Sequence, residues 1–219
     1  MKRAVVLLSG GLDSTTCMAA AHNEGCELYP VSFDYGQRHI RELECAGRIA
    51  EYYKAKAHKV FKIAYVEGNA LTDGSVDVPD YAGDGNIPAT YVPARNILFL
   101  SYAAGYAESV QADYIYIGVS AVDYSGYPDC RPEFIEAFQR VLDIGTKRGV
   151  EGPRLEIVTP IINLSKAGTI VLGSDLGAPY HLTTSCYRGG EKACGVCDSC
   201  VLRLKGFKGA GLPDPIEYK

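Results

Sequence analysis

Between an apolar run and a helix-like stretch the chain reads Leu8-Ser9-Gly10-Gly11-Leu12-Asp13-Ser14-Thr15-Thr16. Two adjacent glycines at a strand-to-helix junction let a ligand approach the backbone with no Cβ atoms in the way. The helix that follows turns its dipole and its first unpaired N–H groups toward the same spot. Such a junction binds anions, phosphate above all. Ser9 and Ser14 add hydroxyl donors, and Asp13 either caps the helix or helps to hold Mg2+. The lysine of G-x-x-x-x-G-K-[ST] is missing, and the glycine spacing is not G-x-G-x-x-G. The plain alternative is a Gly-Gly turn with an Asp or Ser helix cap.

A second constellation lies near the other end. Cys186, Cys194, Cys197 and Cys200 follow the spacing C-x7-C-x2-C-x2-C within the turn-rich stretch CYRGGEKACGVCDSC. Four thiolates around one ion suit tetrahedral Zn2+. An iron–sulfur cluster is the rival occupant, but its ferredoxin-type run needs another cysteine three residues further on, and Leu204 stands beyond Val201-Leu202-Arg203. Redox or free thiols are the third reading. Four thiolates leave no open coordination position, so the ion is expected to hold the tail rather than do chemistry. Arg188, Lys192 and Arg203 are expected to offset the thiolate charge, and His181 to stand behind Cys186. Cys17, Cys26, Cys45 and Cys130 are scattered and expected to be buried as small hydrophobes.

The elements that must position these groups alternate. Strands are expected over Lys2–Leu8, Glu27–Asp34, His58–Ile63, Tyr114–Gly118 and Glu156–Pro160. Between and after them come helices over Asp13–Asn23, Gln37–Tyr53, Arg95–Ser109, Pro132–Thr146 and Ser165–Leu176. This pattern implies an α/β fold with a doubly wound parallel sheet. Ala64–Pro93 is irregular, as a lid, a binding loop or a disordered segment would be. Residues 1–180 are expected to form the nucleotide-binding α/β domain and 181–219 a small zinc-binding appendage without clear periodicity.

Composition narrows the function classes. Of 219 residues, 22 are Lys or Arg and 26 Asp or Glu, a net charge of −4. A chain built chiefly to grip nucleic acid is usually basic. Hydrophobic residues at 47% and charged residues at 22% are ordinary globular values. No apolar run approaches the ~18 residues of a membrane span. The run before Ser9 is shorter than the ~7–15 residues of a signal h-region, so the expected location is cytoplasmic.

Ser9–Ser14 resembles the SGGxDS pyrophosphate loop of the PP-loop ATPases, whose fold is adenine-nucleotide alpha-hydrolase-like. The start LLSGGLDSTT, the stretch FDYGQRH, the segment VPARN, the segment YSGYPDCRPEF and the tail TTSCYRGG…CGVCDSC together resemble the 7-cyano-7-deazaguanine synthase family of queuosine biosynthesis, over nearly the whole chain. The resemblance implies a ligase that uses ATP to activate the carboxylate of 7-carboxy-7-deazaguanine. Ammonia then gives the amide, and a second activation drives loss of water to the nitrile. No nucleophilic side chain is needed, since ammonia attacks directly. The resemblance further implies a homodimer, ATP accompanied by Mg2+, one Zn2+ per chain, small-molecule partners, and no nucleic-acid or membrane partner.

Within that reading Asp13, Ser14, Arg95 and Lys166 are the catalytic candidates, and Leu8 through Thr16 bind the nucleotide. Arg95, opening a helix beside Asn96, offers a planar fork to ATP phosphates or the substrate carboxylate, or is only a solvated helix start. A lysine near a helix start opposes the dipole, so Lys166 is expected to face an anion such as phosphate. Asp123, Asp129 and Arg131 either meet the deazaguanine at the carboxyl edge of the sheet or belong to a turn. Asp34 could meet the adenosine, while His22 and His58 are expected to be surface or packing residues. The competing class is a PP-loop tRNA-thiolating enzyme, against which stand the net charge and the lack of a basic appended domain. A zinc-bearing binding module without catalysis is a third class, opposed by the loop and its place in the fold.

Overall fold

The computed structural model describes residues 1–37, 41–63, 91–120 and 127–219. The expectations placed on residues 64–90, and that on Asp123, lie outside the described residues. Strands β1 (Arg3–Leu7), β2 (Glu27–Asp34), β3 (Lys59–Lys62), β4 (Tyr114–Tyr116) and β5 (Glu156–Val158) alternate with helices. The helices are α1 (Leu12–Asn23), α2 (Arg41–Tyr52), α3 (Arg95–Ser109), α4 (Pro132–Gly145), α5 (Lys147–Glu151), α6 (Lys166–Asp175) and α7 (Asp198–Ala210), with short 3-10 turns at Pro128–Cys130 and Tyr180–Leu182.

All strand pairs are parallel, in the order β3-β2-β1-β4-β5. The chain moves outward from β1 through β2 to β3, then returns to the other side of β1 at β4. The loops leaving β1 and β4 therefore part in opposite directions, and the crevice between them is where open α/β sheets bind ligands. β1 shows why its sequence is apolar without a break from Ala4 to Leu7. Val5 and Leu7 pack with Val31, Phe33 and Ile115 beneath Leu100 and Ala103 of α3 and Ile135 and Phe138 of α4. Ala4, Val6 and Leu8 pack on the other face against Met18 and Ala21 of α1 and Ala46 and Ile49 of α2. A strand covered on both faces needs apolar side chains at every position.

Pro30 sits inside β2 without breaking it. The ladder to β3 begins one residue later, at Val31, so the missing N–H falls before that pairing starts. The described part of α2 starts at Arg41, and Gln37, where the helix was expected to start, folds back instead. Its Nε2 donates to the Phe33 carbonyl at 2.9 Å and its Oε1 accepts the Tyr35 N–H at 2.8 Å, closing a turn.

The principal departure from the expected elements is α7, a helix where no periodicity was evident. Its buried positions are Cys200, Arg203, Gly206 and Phe207, which keep helical spacing but are mostly not hydrophobic. α7 packs on α6 so closely that a Cβ on Gly206 would lie 2.5 Å from Lys166 Cγ and 2.9 Å from Ile170 Cδ1. Phe207 joins Leu12, Ile170 and Tyr180 in one apolar cluster, so the tail packs on the first turn of α1.

A similar close approach occurs on α6. A Cβ on Gly173 would fall 1.9 Å from the Tyr180 hydroxyl and 3.0 Å from Thr16 Oγ1. The tyrosine cannot retreat freely, because its hydroxyl pairs with Thr16 Oγ1 at 2.7 Å and donates to the Thr169 carbonyl at 3.1 Å. Gly173→Ala should therefore destabilise the fold by about 1–3 kcal/mol through overpacking. Denaturant unfolding checks this, and an unchanged midpoint would refute the contact.

Candidate active site

The loop after β1 is built by its own side chains. Gly10 adopts φ +86°, and a Cβ there would stand 2.2 Å from the Glu42 carbonyl oxygen and 2.9 Å from the Ala46 nitrogen. Only glycine fits on both counts. Ser14 Oγ accepts the Ser9 N–H at 3.2 Å, meets Ser9 Oγ at 3.0 Å and donates to the Gly11 carbonyl at 3.1 Å. Thr15 Oγ1 donates to the same carbonyl at 2.7 Å, and Thr16 Oγ1 to that of Leu12 at 3.0 Å. Gly11 is the N-cap of α1 and supplies no side-chain cap. Among the described residues, the N–H groups of Leu12, Asp13 and Ser14 are left without a protein partner. They point, with the helix dipole behind them, at the mouth of the β1–β4 crevice. Gly118, just after β4, forms the opposite wall. A Cβ there would lie 2.9 Å from the Asp13 carbonyl carbon.

Asp13 is not a helix cap. Its two carboxylate oxygens each accept from Lys166 Nζ at 2.8 Å. The anion expected opposite Lys166 is thus in the protein itself, in a half-exposed pair at the mouth of the loop. Lys166 is held at the first position of α6 by Ser165, the N-cap, whose hydroxyl accepts from the Gly168 N–H at 3.1 Å.

Arg95 stands on the other side of the loop and reaches it through Glu42. It is the first residue of α3, behind Ala94 in left-handed geometry (φ 56°). Its guanidinium bonds the Tyr35 hydroxyl and lies 5.9 Å from the Tyr127 ring centre. Tyr187 bonds Tyr127 and feels the charges of Arg95 and Glu42. Burial pushes the Glu42 carboxyl up to about 7, with Arg95 pulling the other way. Residues from β2, α2, α3, the approach to α4 and the tail so meet in one polar, tyrosine-walled corner. Glu42 was not singled out in the sequence. Its only signal there was an acidic residue in the first turn of an amphipathic helix.

Asp129 has a structural task. Its Oδ2 accepts the Asn96 N–H at 3.0 Å, and Asn96 Nδ2 donates to the Asp129 carbonyl at 3.0 Å, so the pair secures the start of α3. Arg131 and His181 are exposed, and Asp34 is half-buried at the end of β2. His58 Nε2 pairs with the buried Ser32 hydroxyl at 2.7 Å, a packing role. Cys17, Cys26, Cys45 and Cys130 are buried free thiols.

The four tail cysteines converge. Their Sγ atoms all lie within 4.8 Å of one another. Cys194 Sγ and Cys200 Sγ stand 3.9 Å apart, close to the roughly 3.8 Å edge of a tetrahedron with ~2.3 Å metal–sulfur bonds. The Cys194 N–H donates to Cys186 Sγ at 3.3 Å, and the Cys197 N–H to Cys194 Sγ at 3.4 Å. Backbone donors and soft sulfur ligands at this spacing fit a closed metal centre.

Arg203 does not offset the thiolates, contrary to expectation. Its guanidinium grips Asp214 with two bonds, Nε to Oδ2 at 2.8 Å and Nη2 to Oδ1 at 3.0 Å. Lys192 likewise turns to Glu217 at 3.0 Å. The rest of the Arg203 fork reaches Thr183 Oγ1 at 2.8 Å, Ser185 Oγ at 3.3 Å and the Tyr180 carbonyl at 3.4 Å. Between Thr183 and Ser185, the Thr184 N–H donates to the Gly10 carbonyl at 3.0 Å, joining the tail to the loop.

Comparison with known proteins agrees with this arrangement. The family model described as queuosine biosynthesis protein QueC matches residues 3–211. A protein of Desulfitobacterium hafniense named 7-cyano-7-deazaguanine synthase 2 is 68% identical, over 100% of this chain and 94% of its own length. One of Acetivibrio thermocellus named 7-cyano-7-deazaguanine synthase is also 68% identical, over 100% of this chain and 98% of its own. Among solved structures, NMN synthetase from Francisella tularensis superposes with a TM-score of 0.50 at 14% identity, over 97% of this chain and 78% of that one. At that identity the likeness shows the fold alone.

Proposed function

The chain belongs to the QueC family of queuosine biosynthesis proteins, and from that membership we propose that it is an ATP-dependent ligase converting 7-carboxy-7-deazaguanine and ammonia to 7-cyano-7-deazaguanine. The observation that carries the reading is the set of partnerless N–H groups of Leu12, Asp13 and Ser14 at the sheet's switch point. A carboxylate resists attack by ammonia because its oxygen is a poor leaving group. Transfer of the nucleotidyl group from ATP to that oxygen releases pyrophosphate and makes it a good leaving group; ammonia adds to the carbon, the oxygen departs with the nucleotide, and loss of a proton gives the amide. The same transfer to the amide oxygen releases a second pyrophosphate, and departure of that oxygen with the nucleotide and loss of the nitrogen-bound protons leave the nitrile. Both steps develop charge on phosphate, and donors already aimed there need no reorganisation.

In this reading Leu8 through Thr16 bind the nucleotide, with Ser9, Gly10, Gly11 and Ser14 shaping the phosphate cradle. Asp13 and Lys166 form a charge pair, of which Asp13 would help to hold Mg2+ and Lys166 would face a phosphate when these are bound. Arg95, with its planar fork in the tyrosine-walled corner, holds the substrate carboxylate. Cys186, Cys194, Cys197 and Cys200 hold one Zn2+, which organises the tail next to the loop. Among the described residues no helix is long and apolar enough to cross a membrane. A cytoplasmic homodimer acting on free small molecules completes the proposal. The net charge of −4 favours that over a tRNA-bound substrate.

The test of the activity is mass spectrometry of the product formed from 7-carboxy-7-deazaguanine, ammonium and ATP, where the nitrile is expected. Ser14→Ala removes the hydroxyl that ties Ser9 to Gly11, and Asp13→Ala breaks the pair with Lys166. Each should lower turnover by about 10²-fold with the fold retained. Near-normal turnover in a folded Ser14→Ala protein would count against the loop.

Metal analysis should find one Zn2+ per chain. Cys197→Ala should chiefly lower folded yield and melting temperature, because metal binding energy at such a site is folding energy. Activity per folded molecule should fall less than in Ser14→Ala. Iron with visible absorbance, or a Cys197→Ala protein with wild-type melting and ATP binding but no nitrile, would reject this division of work.

A further inference from the structure

We propose that Arg203 is a positioning residue for the phosphate loop, acting through the tail residues that it grips on either side of Thr184 and through the aromatic ring beneath its guanidinium. The proposal rests on the reading of Ser9–Ser14 as the site of ATP phosphates.

Arg203 is 2% exposed, and Asp214 is its ion-pair partner. Satisfying a buried guanidinium takes every arm of its fork, and here the arms are divided. Two go to Asp214, which is also held by the Tyr218 hydroxyl at 2.6 Å and the Ile216 N–H at 3.2 Å. The others fix Thr183, Ser185 and the Tyr180 carbonyl. This pins the short segment whose middle residue, Thr184, donates its N–H to Gly10. The Gly10 carbonyl belongs to the peptide that leaves the left-handed Gly10 and leads into Gly11, the N-cap of α1, so the position of Thr184 sets the tilt of the N–H groups that follow. The Thr184 carbonyl also lies 3.5 Å from where a Gly11 Cβ would stand, closing the same wall.

A second path runs through packing. The guanidinium lies 5.2 Å from the Phe207 ring centre. Phe207 packs with Tyr180 and with Leu12, the first residue of α1. Two separate contacts thus join one side chain to the loop, one through a hydrogen bond at Gly10 and one through apolar contact at Leu12. Neither passes through a thiolate. A residue that held only the tail would need the Asp214 fork but not these two.

The experiment compares Arg203→Lys, Thr183→Val and Tyr218→Phe, with ATP affinity measured by equilibrium binding and zinc content measured on the same samples. Lysine can pair with Asp214 but cannot also span Thr183 and Ser185. Arg203→Lys should keep its zinc and weaken ATP binding by about tenfold, with KM for 7-carboxy-7-deazaguanine within about twofold of wild type. Thr183→Val removes, at nearly constant shape, the hydroxyl that accepts from Arg203 and donates to the Tyr180 carbonyl at 2.6 Å, and should weaken ATP binding by about threefold. Tyr218→Phe, on the far side of Asp214, should lower the melting temperature and leave ATP affinity unchanged. Wild-type ATP affinity in zinc-loaded Arg203→Lys and Thr183→Val would overturn the proposal. Should Arg203→Lys fail to fold, Thr183→Val decides alone. ATP binding is read without the second substrate, so failure to make the nitrile would count against the proposed activity only. A wild-type chain that bound no ATP would overturn both.

Discussion

Everything at the site depends on one backbone-to-backbone contact. The first turn of α2 lies so close to Gly10 that no side chain can stand between them. This contact sets how far the loop projects above the sheet, and Gly118 limits it on the opposite side. A loop held between two backbones has little freedom to relax, which is what a site of aimed dipoles requires. The contact also places Glu42, on the same turn of α2, between the loop and Arg95. The path from the unpaired N–H groups of the loop to the tyrosine-walled corner therefore begins at a glycine.

Most of the scaffold was legible because its signals are local. β1 is apolar from Ala4 to Leu7 because it is covered there on both faces, and β2 and α3 have the expected bounds. The cysteine spacing announced a metal centre that the four sulfur atoms now fit. α7 escaped notice for a physical reason. Its inward face carries a cysteine of the four-sulfur cluster, an ion-paired arginine and a glycine under α6, so hydrophobicity does not report its burial. Three pairings also arise only in space. Asp13 pairs with Lys166, Asp129 secures Asn96, and Arg203 faces Asp214 rather than sulfur. Each is a pairing between residues at least eleven positions apart, which no short pattern encodes.

The tyrosines, numerous but unassigned from the sequence, gain a place for the same reason. Tyr35, Tyr127 and Tyr187 come from segments widely separated along the chain and meet around Arg95. Each ring offers an apolar face and a polar tip. A corner lined this way can enclose a flat heterocycle while keeping a charged group hydrogen-bonded.

The link between Thr184 and Gly10 also bears on how the protein is made. β1 and its loop leave the ribosome well before the residue that tethers Gly10, which follows 174 positions later, and Asp214 comes later still. During synthesis the central strand must wait for partners, with apolar faces on both sides and a glycine turn untethered. Contacts of such sequence separation slow folding and prolong exposure of aggregation-prone strands. The nascent chain should therefore be most in need of a chaperone's protection until its tail has emerged.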